Sequence, residues 1–347
     1  MDATAKPDLH LVYTSDANYL FLTAVSACSA FAQASDPTRL AIHVLDCGIS
    51  DDAWEAWRAD MVRRTGSERF HRHAVDVARF EGLPPWKGSI ATYARLCPPE
   101  LLPDLDWCVY ADGDTLFVDD PLGLTDFFDP SVGLWAYGWS SQDSTSTQGA
   151  SRCRQWCAQN GLEDDFPVYV CAGFLVCNLR WMREVNFTEA CFNFLRRYER
   201  IPYIDEMAIN YICRGHISLL PCDWGVFSMH ACERLQPKCI HYISEPLRAL
   251  RFSPKVGYRD VIAVWVTAAK ALLGCGTREA CGVPEWKWML GRLYTRCLGA
   301  SAAVVQLMPG GGQIGAVKVL NWHRLRGQIR RLLSRRVWQK GMRRSQR

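Results

Sequence analysis

The chain has 347 residues, 49% of them hydrophobic and 22% charged, which suits one large globular domain with or without a smaller one and excludes a disordered chain. The N-terminal MDATAKPDLHLVYTSD lacks a basic stretch followed by an apolar one, so it reads as neither signal peptide nor anchor; the longest apolar run, VIAVWVTAAKALLG, contains Lys270 and falls short of the ~20 residues of a membrane span. The net charge of +4 hides an asymmetry: ten Lys/Arg and no acid lie from Asn321 onward, leaving 30 basic against 36 acidic residues before it.

In chain order, LHLVYTS (9–15) reads as a strand and NYLFLTAVSACSAFAQAS as a mostly apolar helix ending near DPTR. RLAIHVLDC is a second strand. Ser50 then N-caps a helix with Asp51, Asp52 and Glu55 in its first turn, Trp54, Trp57 and Met61 on its apolar face, and Arg63, Arg64 and Gly66 at its end. RFHRHAVDV alternates like a strand, and SIATYARLCPPELLP reads as a helix broken at Pro98–Pro99. WCVYA gives a fourth strand. VYVCAGFLVCNLRWMREV, FTEACFNFLRRYER, YIDEMAINYICRGHISLLP and KCIHYIS continue the alternation, and the pattern beyond about Leu250 is mostly helical. Alternating strands and helices predict an α/β fold with a mostly parallel, doubly wound sheet, in which ligands bind beyond the carboxyl ends of the strands.

Two acidic sites fall at such strand ends: Asp16 after the first strand, and Asp112-Gly113-Asp114 after the fourth. Side chains two apart on an extended strand share a side, and paired carboxylates repel unless a cation neutralises them. Hard oxygen ligands suit Mg²⁺ or Mn²⁺, and Gly113 leaves room for substrate phosphate oxygens. Asp-Gly is equally a turn dipeptide, and Asp119-Asp120 before Pro121 reads as turn chemistry. His241, at a strand end, is either a third ligand or a hydrogen-bonded core histidine. Asp205-Glu206 opens a helix, where acids help with or without catalysis.

The sixteen cysteines are scattered and often sit in apolar runs, so they read as reduced, buried small hydrophobes; Cys153-x-x-x-Cys157 has no second pair at zinc spacing. PGGGQIG spells G-x-G-x-x-G through Gly310, Gly312 and Gly315, but no acid remains downstream, so it reads as a linker. The tail places Trp322, Leu325, Ile329, Leu332 and Leu333 on one helical arc among its arginines. That composition suits an anionic membrane surface, a solvated tail or nucleic acid, in that order.

Taken together and in order, YTSDANY, TYARL, YADGDTLFVDDPLGL, CAGFLVCNL, IDEMAINY and IHYIS resemble glycosyltransferase family 8 over roughly Leu9 to Leu250. That family includes bacterial lipopolysaccharide galactosyl- and glucosyltransferases and the glycogenins. The resemblance implies a GT-A nucleotide-diphospho-sugar fold, with a catalytic domain at 8–250, a small helical C-terminal region at 251–308, a Gly-rich linker at 309–320 and a membrane-surface tail at 321–347. It implies retaining transfer of glucose or galactose from a UDP-sugar, with Mn²⁺ or Mg²⁺, to an oligosaccharide or lipid-linked acceptor such as lipopolysaccharide core, and no nucleic-acid partner. The setting it implies is cytoplasmic, peripheral at the inner face of the cytoplasmic membrane. By the same resemblance Asp112, Asp114 and His241 ligate the metal, and Thr14, Asp16, Asn18 and Tyr19 hold uracil and ribose. Arg95 reaches the donor phosphate or sugar, Gly113, Ala172 and Gly173 line the donor, and Asp205 and Glu206 face the transferred sugar. Three departures stand out: Cys171 replaces the usual asparagine, Glu206 a common glutamine, and ISEPLRAL a lysine-bearing run, so that Arg248 substitutes on the diphosphate. They leave one alternative, a catalytically weak UDP-sugar or glycan binder that keeps the fold.

Overall fold

Hydrophobic periodicity and local capping build the first half of the chain. In the computed structural model, which describes residues 7–85, 89–140, 148–162, 166–228, 236–243, 256–281, 286 and 289, LHLVYTS forms β1 (Leu9–Ser15). Leu9, Leu11 and Tyr13 of this strand enter one core layer and Val12 the other. Helix α1 (Leu20–Gln33) is buried almost all round, as a helix apolar on every face must be. It is followed by β2 (Leu40–Asp46) and α2 (Asp51–Thr65). Ser50 caps α2 by accepting from Ala53 N, and Gly66 ends it at φ 73°, a left-handed position that costs glycine nothing. Trp54, Trp57 and Met61 are its buried residues, as their spacing predicts. β3 is Phe70–Ala74.

The next stretch departs from the sequence expectation. Ala91–Leu96 is a 3₁₀ helix, and Pro98 and Pro99 begin the short α3 (Pro98–Leu101) rather than breaking a helix, because proline's missing N–H is an orphan donor at a first turn anyway. β4 (Trp107–Ala111) leads through a tight turn to β5 (Thr115–Phe117), and Asp120 then caps a 3₁₀ turn through Leu122 N. After these come β6 (Leu134–Ser140), α4 (Gln148–Gln159), β7 (Val168–Asn178), α5 (Leu179–Glu184), α6 (Phe187–Arg197) and α7 (Ile204–Ile212). The described remainder holds β8 (Ile217–Leu219), β9 (Val226–Phe227), β10 (Cys239–His241), α8 (Val256–Leu273) and α9 (Thr277–Cys281).

The main sheet has the order β3-β2-β1-β4-β7-β6-β8. β3, β2, β1 and β4 run parallel, and β7 is antiparallel to both β4 and β6. The expectation of a mostly parallel α/β sheet therefore holds, with β7 as the reversed strand. A second sheet, β5-β10-β9, stands beside the end of β4. There His241 pairs with Thr115, and Tyr242 N donates to Asp114 O at 2.9 Å. One core layer joins β1 and β2 to α1 and α2; the other lies beneath the 3₁₀ helix, α3, α6 and α7. Val264, Trp265, Ala268 and Ala269 of α8 share a third apolar cluster with Leu22 and Val25 of α1. The cysteines among the described residues are free and mostly buried. Arg248, the Gly-rich 309–320 segment and the 321–347 tail lie outside the described residues.

Candidate active site

The metal corner forms where β4 stops. Asp112 and Asp114 do not lie on an extended strand: Thr115 N donates to Asp112 O at 3.1 Å, closing a turn, and Asp112 N donates to Gly173 O at 2.8 Å. The turn and the second sheet, not strand pleating, bring the two carboxylates together. Gly113 serves this packing, since a Cβ there would meet Thr23 Oγ1 of α1 at 3.0 Å. Asp112 divides its oxygens. Oδ1 accepts from Arg95 at 2.9 Å and Tyr110 Oη at 2.8 Å, while Oδ2 lies 3.5 Å from His241 Nε2. Asp114 Oδ1 is 3.3 Å from the same nitrogen, is buried and makes no hydrogen bond.

Among the described residues this is the one cluster of three or more His, Cys, Asp or Glu able to share an ion, with ligand atoms within 4.8 Å of one another. Two carboxylate oxygens, one of them orphaned, and an imidazole nitrogen fit a divalent cation of the Mg²⁺ or Mn²⁺ kind. With protein groups alone, burial opposes the imidazolium, but the Asp114 charge and the Asp112 carboxylate beside it hold the His241 pKa well above its usual value. Burial likewise works against the Asp112 carboxylate, and Arg95, His241 and Tyr110 together more than offset it, keeping that pKa below the ordinary value. Gly173 passes so near that a Cβ would fall 2.1 Å from His241 Cε1.

Beside this corner, α7 delivers two more carboxyls. Tyr203 and Ile204, at φ 51° and 27°, bend the chain into α7 through a region costly for side chains of their size, which is backbone strain at the mouth of the site. Asp205 is buried and sits 3.3 Å from Arg95 Nε. Glu206 Oε1 accepts from Tyr169 Oη at 3.0 Å, and Oε2 from Ala172 N at 3.2 Å. Burial pushes Glu206 up to about 7 and raises Asp205 as well. Asn210 fixes α7 to β7. Its Oδ1 accepts from Val170 N and its Nδ2 donates to Val170 O and Glu206 O, all at 2.8 Å.

These groups share a cavity of about 600 Å³, the size of a ligand pocket. Thr14, Asp16, Tyr19, Arg95, Asp112, Gly113, Asp114, Gly173, Asp205, Glu206 and His241 all line it. Asn18 is exposed and outside the lining, although Asp16 Oδ1 accepts from its N–H and from that of Tyr19. Ala172 is buried behind the wall and contributes its N–H to Glu206. Cys171 lies on the lining, its Sγ 3.9 Å from His241 Nδ1. The sequence reading missed Tyr110, Tyr169 and Asn210, and also an aromatic wall in which Trp139 and Phe227 stand 5.5 Å apart and Phe227 faces the His241 ring at 5.8 Å. Nothing in local spacing singles these out, since each looks like an ordinary strand or helix residue.

Solved structures similar to this chain include glycosyltransferases. A crystal structure of an active-site mutant of LgtC shares 25% identity at a TM-score of 0.59, covering 81% of this chain and 99% of that one. The galactosyltransferase LgtC in complex with donor and acceptor sugar analogues shares 24% at 0.58, covering 82% and 100%. WbbM, a bifunctional glycosyltransferase, shares 18% at 0.55, covering 76% of this chain and 51% of its own. Fold and site thus define the class, a GT-A-like glycosyltransferase. The description Glycosyl transferase family 8 matches residues 10–246, and the chain belongs to that family. No curated protein matches it in sequence.

Proposed function

We propose that this family 8 transferase moves a hexose, glucose or galactose, from a UDP-sugar to a surface-glycan acceptor such as lipopolysaccharide core, with retention at the anomeric carbon. The observation that carries the reading is the convergence, in one cavity of about 600 Å³, of the Asp112–Asp114–His241 corner with buried Asp205, Glu206 and Arg95.

Bound at that corner, Mn²⁺ or Mg²⁺ supplies Lewis-acid charge against the departing diphosphate. The chain's own residues do the rest. Arg95 and Tyr110 hold one oxygen of Asp112, which leaves the other aimed at the corner. In this reading Thr14, Asp16 and Tyr19, which line the cavity, hold uracil and ribose, and Gly113 and Gly173 border the diphosphate. Asp205, adjacent to the transferred sugar, places negative charge near an anomeric centre that becomes oxocarbenium-like. The Trp139–Phe227 wall excludes water and offers ring faces to an acceptor pyranose. Arg248 adds charge at the diphosphate. The 321–347 tail holds the enzyme, a cytoplasmic peripheral protein, to the anionic inner face of the cytoplasmic membrane.

The test is UDP release from a panel of UDP-sugars with Mn²⁺, with and without a lipopolysaccharide-core acceptor. Transfer from UDP-glucose or UDP-galactose, with an α product from these α-linked donors, supports the reading. UDP–Mn²⁺ binding without transfer supports instead the weak sugar-nucleotide binder. Deleting 321–347 is expected to abolish sedimentation with anionic liposomes while leaving UDP release largely intact.

A further inference from the structure

We propose that Glu206 works with its proton on, as a neutral hydrogen-bond donor to an oxygen of the bound sugar nucleotide, and not as a carboxylate. The inference rests on the hexosyltransferase reading and assigns a state and a role to one wall of that site.

The geometry of the surrounding groups points to it. Glu206 is reached from β7 by the Tyr169 phenol and the Cys171 thiol, from α7 itself by the Asp205 carboxyl, and from the 3₁₀ helix by Arg95. The guanidinium is the one cation among these, and it is committed elsewhere, 2.9 Å from Asp112 Oδ1 and 3.3 Å from Asp205 Oδ2. His241 turns Nε2 to the two aspartates and Nδ1 to Cys171, so no imidazolium faces Glu206. A carboxylate here would be buried beside a second carboxylate with no counter-charge of its own, an arrangement that favours the acid form.

The two hydrogen bonds donated to Glu206 favour its ionised form, and burial outweighs them. Cys153 Sγ donates to Tyr169 Oη at 3.2 Å, Tyr169 Oη donates to Glu206 Oε1, and Ala172 N donates to Oε2. Burial holds the Tyr169 phenol well above its ordinary pKa, so it remains the donor. Both Glu206 oxygens therefore already accept a bond from the protein, and the acid's own O–H is directed to the cavity that Glu206 lines. A buried acid kept neutral can donate a bond that strengthens as charge develops on the accepting oxygen. No proton is transferred; Glu206 carries it before and after the sugar moves. The elevated Glu206 pKa, about 7, agrees with this and places the loss of the proton within the working range of pH.

The test has two independent readouts on the full chain. The first is kcat/KM for UDP release across about pH 5.5 to 9 for wild type, Glu206→Gln, Glu206→Ala and Tyr169→Phe. Wild-type activity is expected to fall up to tenfold per pH unit above about 7, as the donor is lost. Glu206→Gln, whose amide still donates, loses that alkaline limb and retains at least about tenfold more activity than Glu206→Ala, which drops about 10²-fold. Tyr169→Phe, with one fewer bond to the carboxylate, moves the limb to higher pH. Glu206→Gln as inactive as Glu206→Ala, with wild-type activity rising through pH 7, would instead show a working carboxylate and overturn the inference. The second readout needs no turnover: the infrared difference between wild type and Glu206→Gln shows a protonated carboxyl band at about pH 6 that is lost by about pH 8.5. Its absence at the lower pH overturns the inference even where transfer is observed. If no UDP-sugar is turned over, the hexosyltransferase reading fails and the infrared band still decides the state of Glu206.

Discussion

The sharpest test of the metal corner is Gly173→Ala. A Cβ at this position would fall 2.1 Å from His241 Cε1, 2.7 Å from Asp112 Oδ2 and 2.8 Å from His241 Nε2, whereas ordinary contact begins at 3.4 Å. The imidazole must therefore retreat by about 1.3 Å, or β7 must move by as much. Neither is free to do so. His241 belongs to β10, which pairs on both sides, and its ring is backed by Phe227. Gly173 O is itself held by Asp112 N. Metal–ligand distances tolerate only about 0.2 Å, and a reacting group misplaced by about 1 Å costs about 10²-fold. We therefore expect Gly173→Ala to weaken Mn²⁺ binding by about 10²-fold, read from the free-ion electron paramagnetic resonance signal, with a matching loss of UDP release at fixed Mn²⁺. A melting scan checks that the fold persists. A folded Gly173→Ala protein that binds Mn²⁺ within about threefold of wild type would refute the assignment of this corner as the cation site.

Other consequences follow from buried polar groups. Asn210→Ala leaves the N–H and C=O of Val170 unpaired, so denaturant unfolding should show a loss of about 2–4 kcal/mol. Arg95→Met leaves Asp112 and Asp205 without their shared cation and should cost about 3–5 kcal/mol at pH 7. That penalty should shrink as pH falls, because the two carboxylates then take up the protons that relieve it. Across β1, β2 and β3, His10, His43 and His73 form a chain of ring nitrogens at 3.0 and 2.9 Å. Burial, reinforced by His10, pushes the central His43 from 6.5 to about 2. The unfolded state binds the extra proton, so this contribution is present above about pH 6.5 and is lost as pH falls through it, at up to about 1.4 kcal/mol per unit. Urea unfolding at pH 6.5 and 5 should show about 2 kcal/mol more acid sensitivity in wild type than in His43→Gln.

Much of the fold is legible locally because its signals are local. The apolar run and the cap at Ser50, the spacing of Trp54, Trp57 and Met61, and the glycine at 66 each act within one or two turns of chain, and the structure shows α2 as they require. The reading failed where two local rules competed. Pro98–Pro99 can break a helix or start one, and only the preceding 3₁₀ turn decides. Asp112-Gly113-Asp114 can be an extended pair or a turn, and the packing of α1 against Gly113 is invisible in the local sequence.

By itself, then, the sequence determined the alternation of strands and helices, the strand-end position of its acids, and the ordered motifs of the family. The tertiary structure decided which of those acids meet, because β5 and β10 pair distant segments and so set His241 against Asp114. It also decided charge state. Asp205 and Glu206 are neighbours on one helix turn with the same side-chain chemistry, yet Arg95 reaches the first, and Tyr169 and Ala172 hold the second. Burial and partner geometry fix a carboxyl's protonation, and both are properties of residues far apart in the chain.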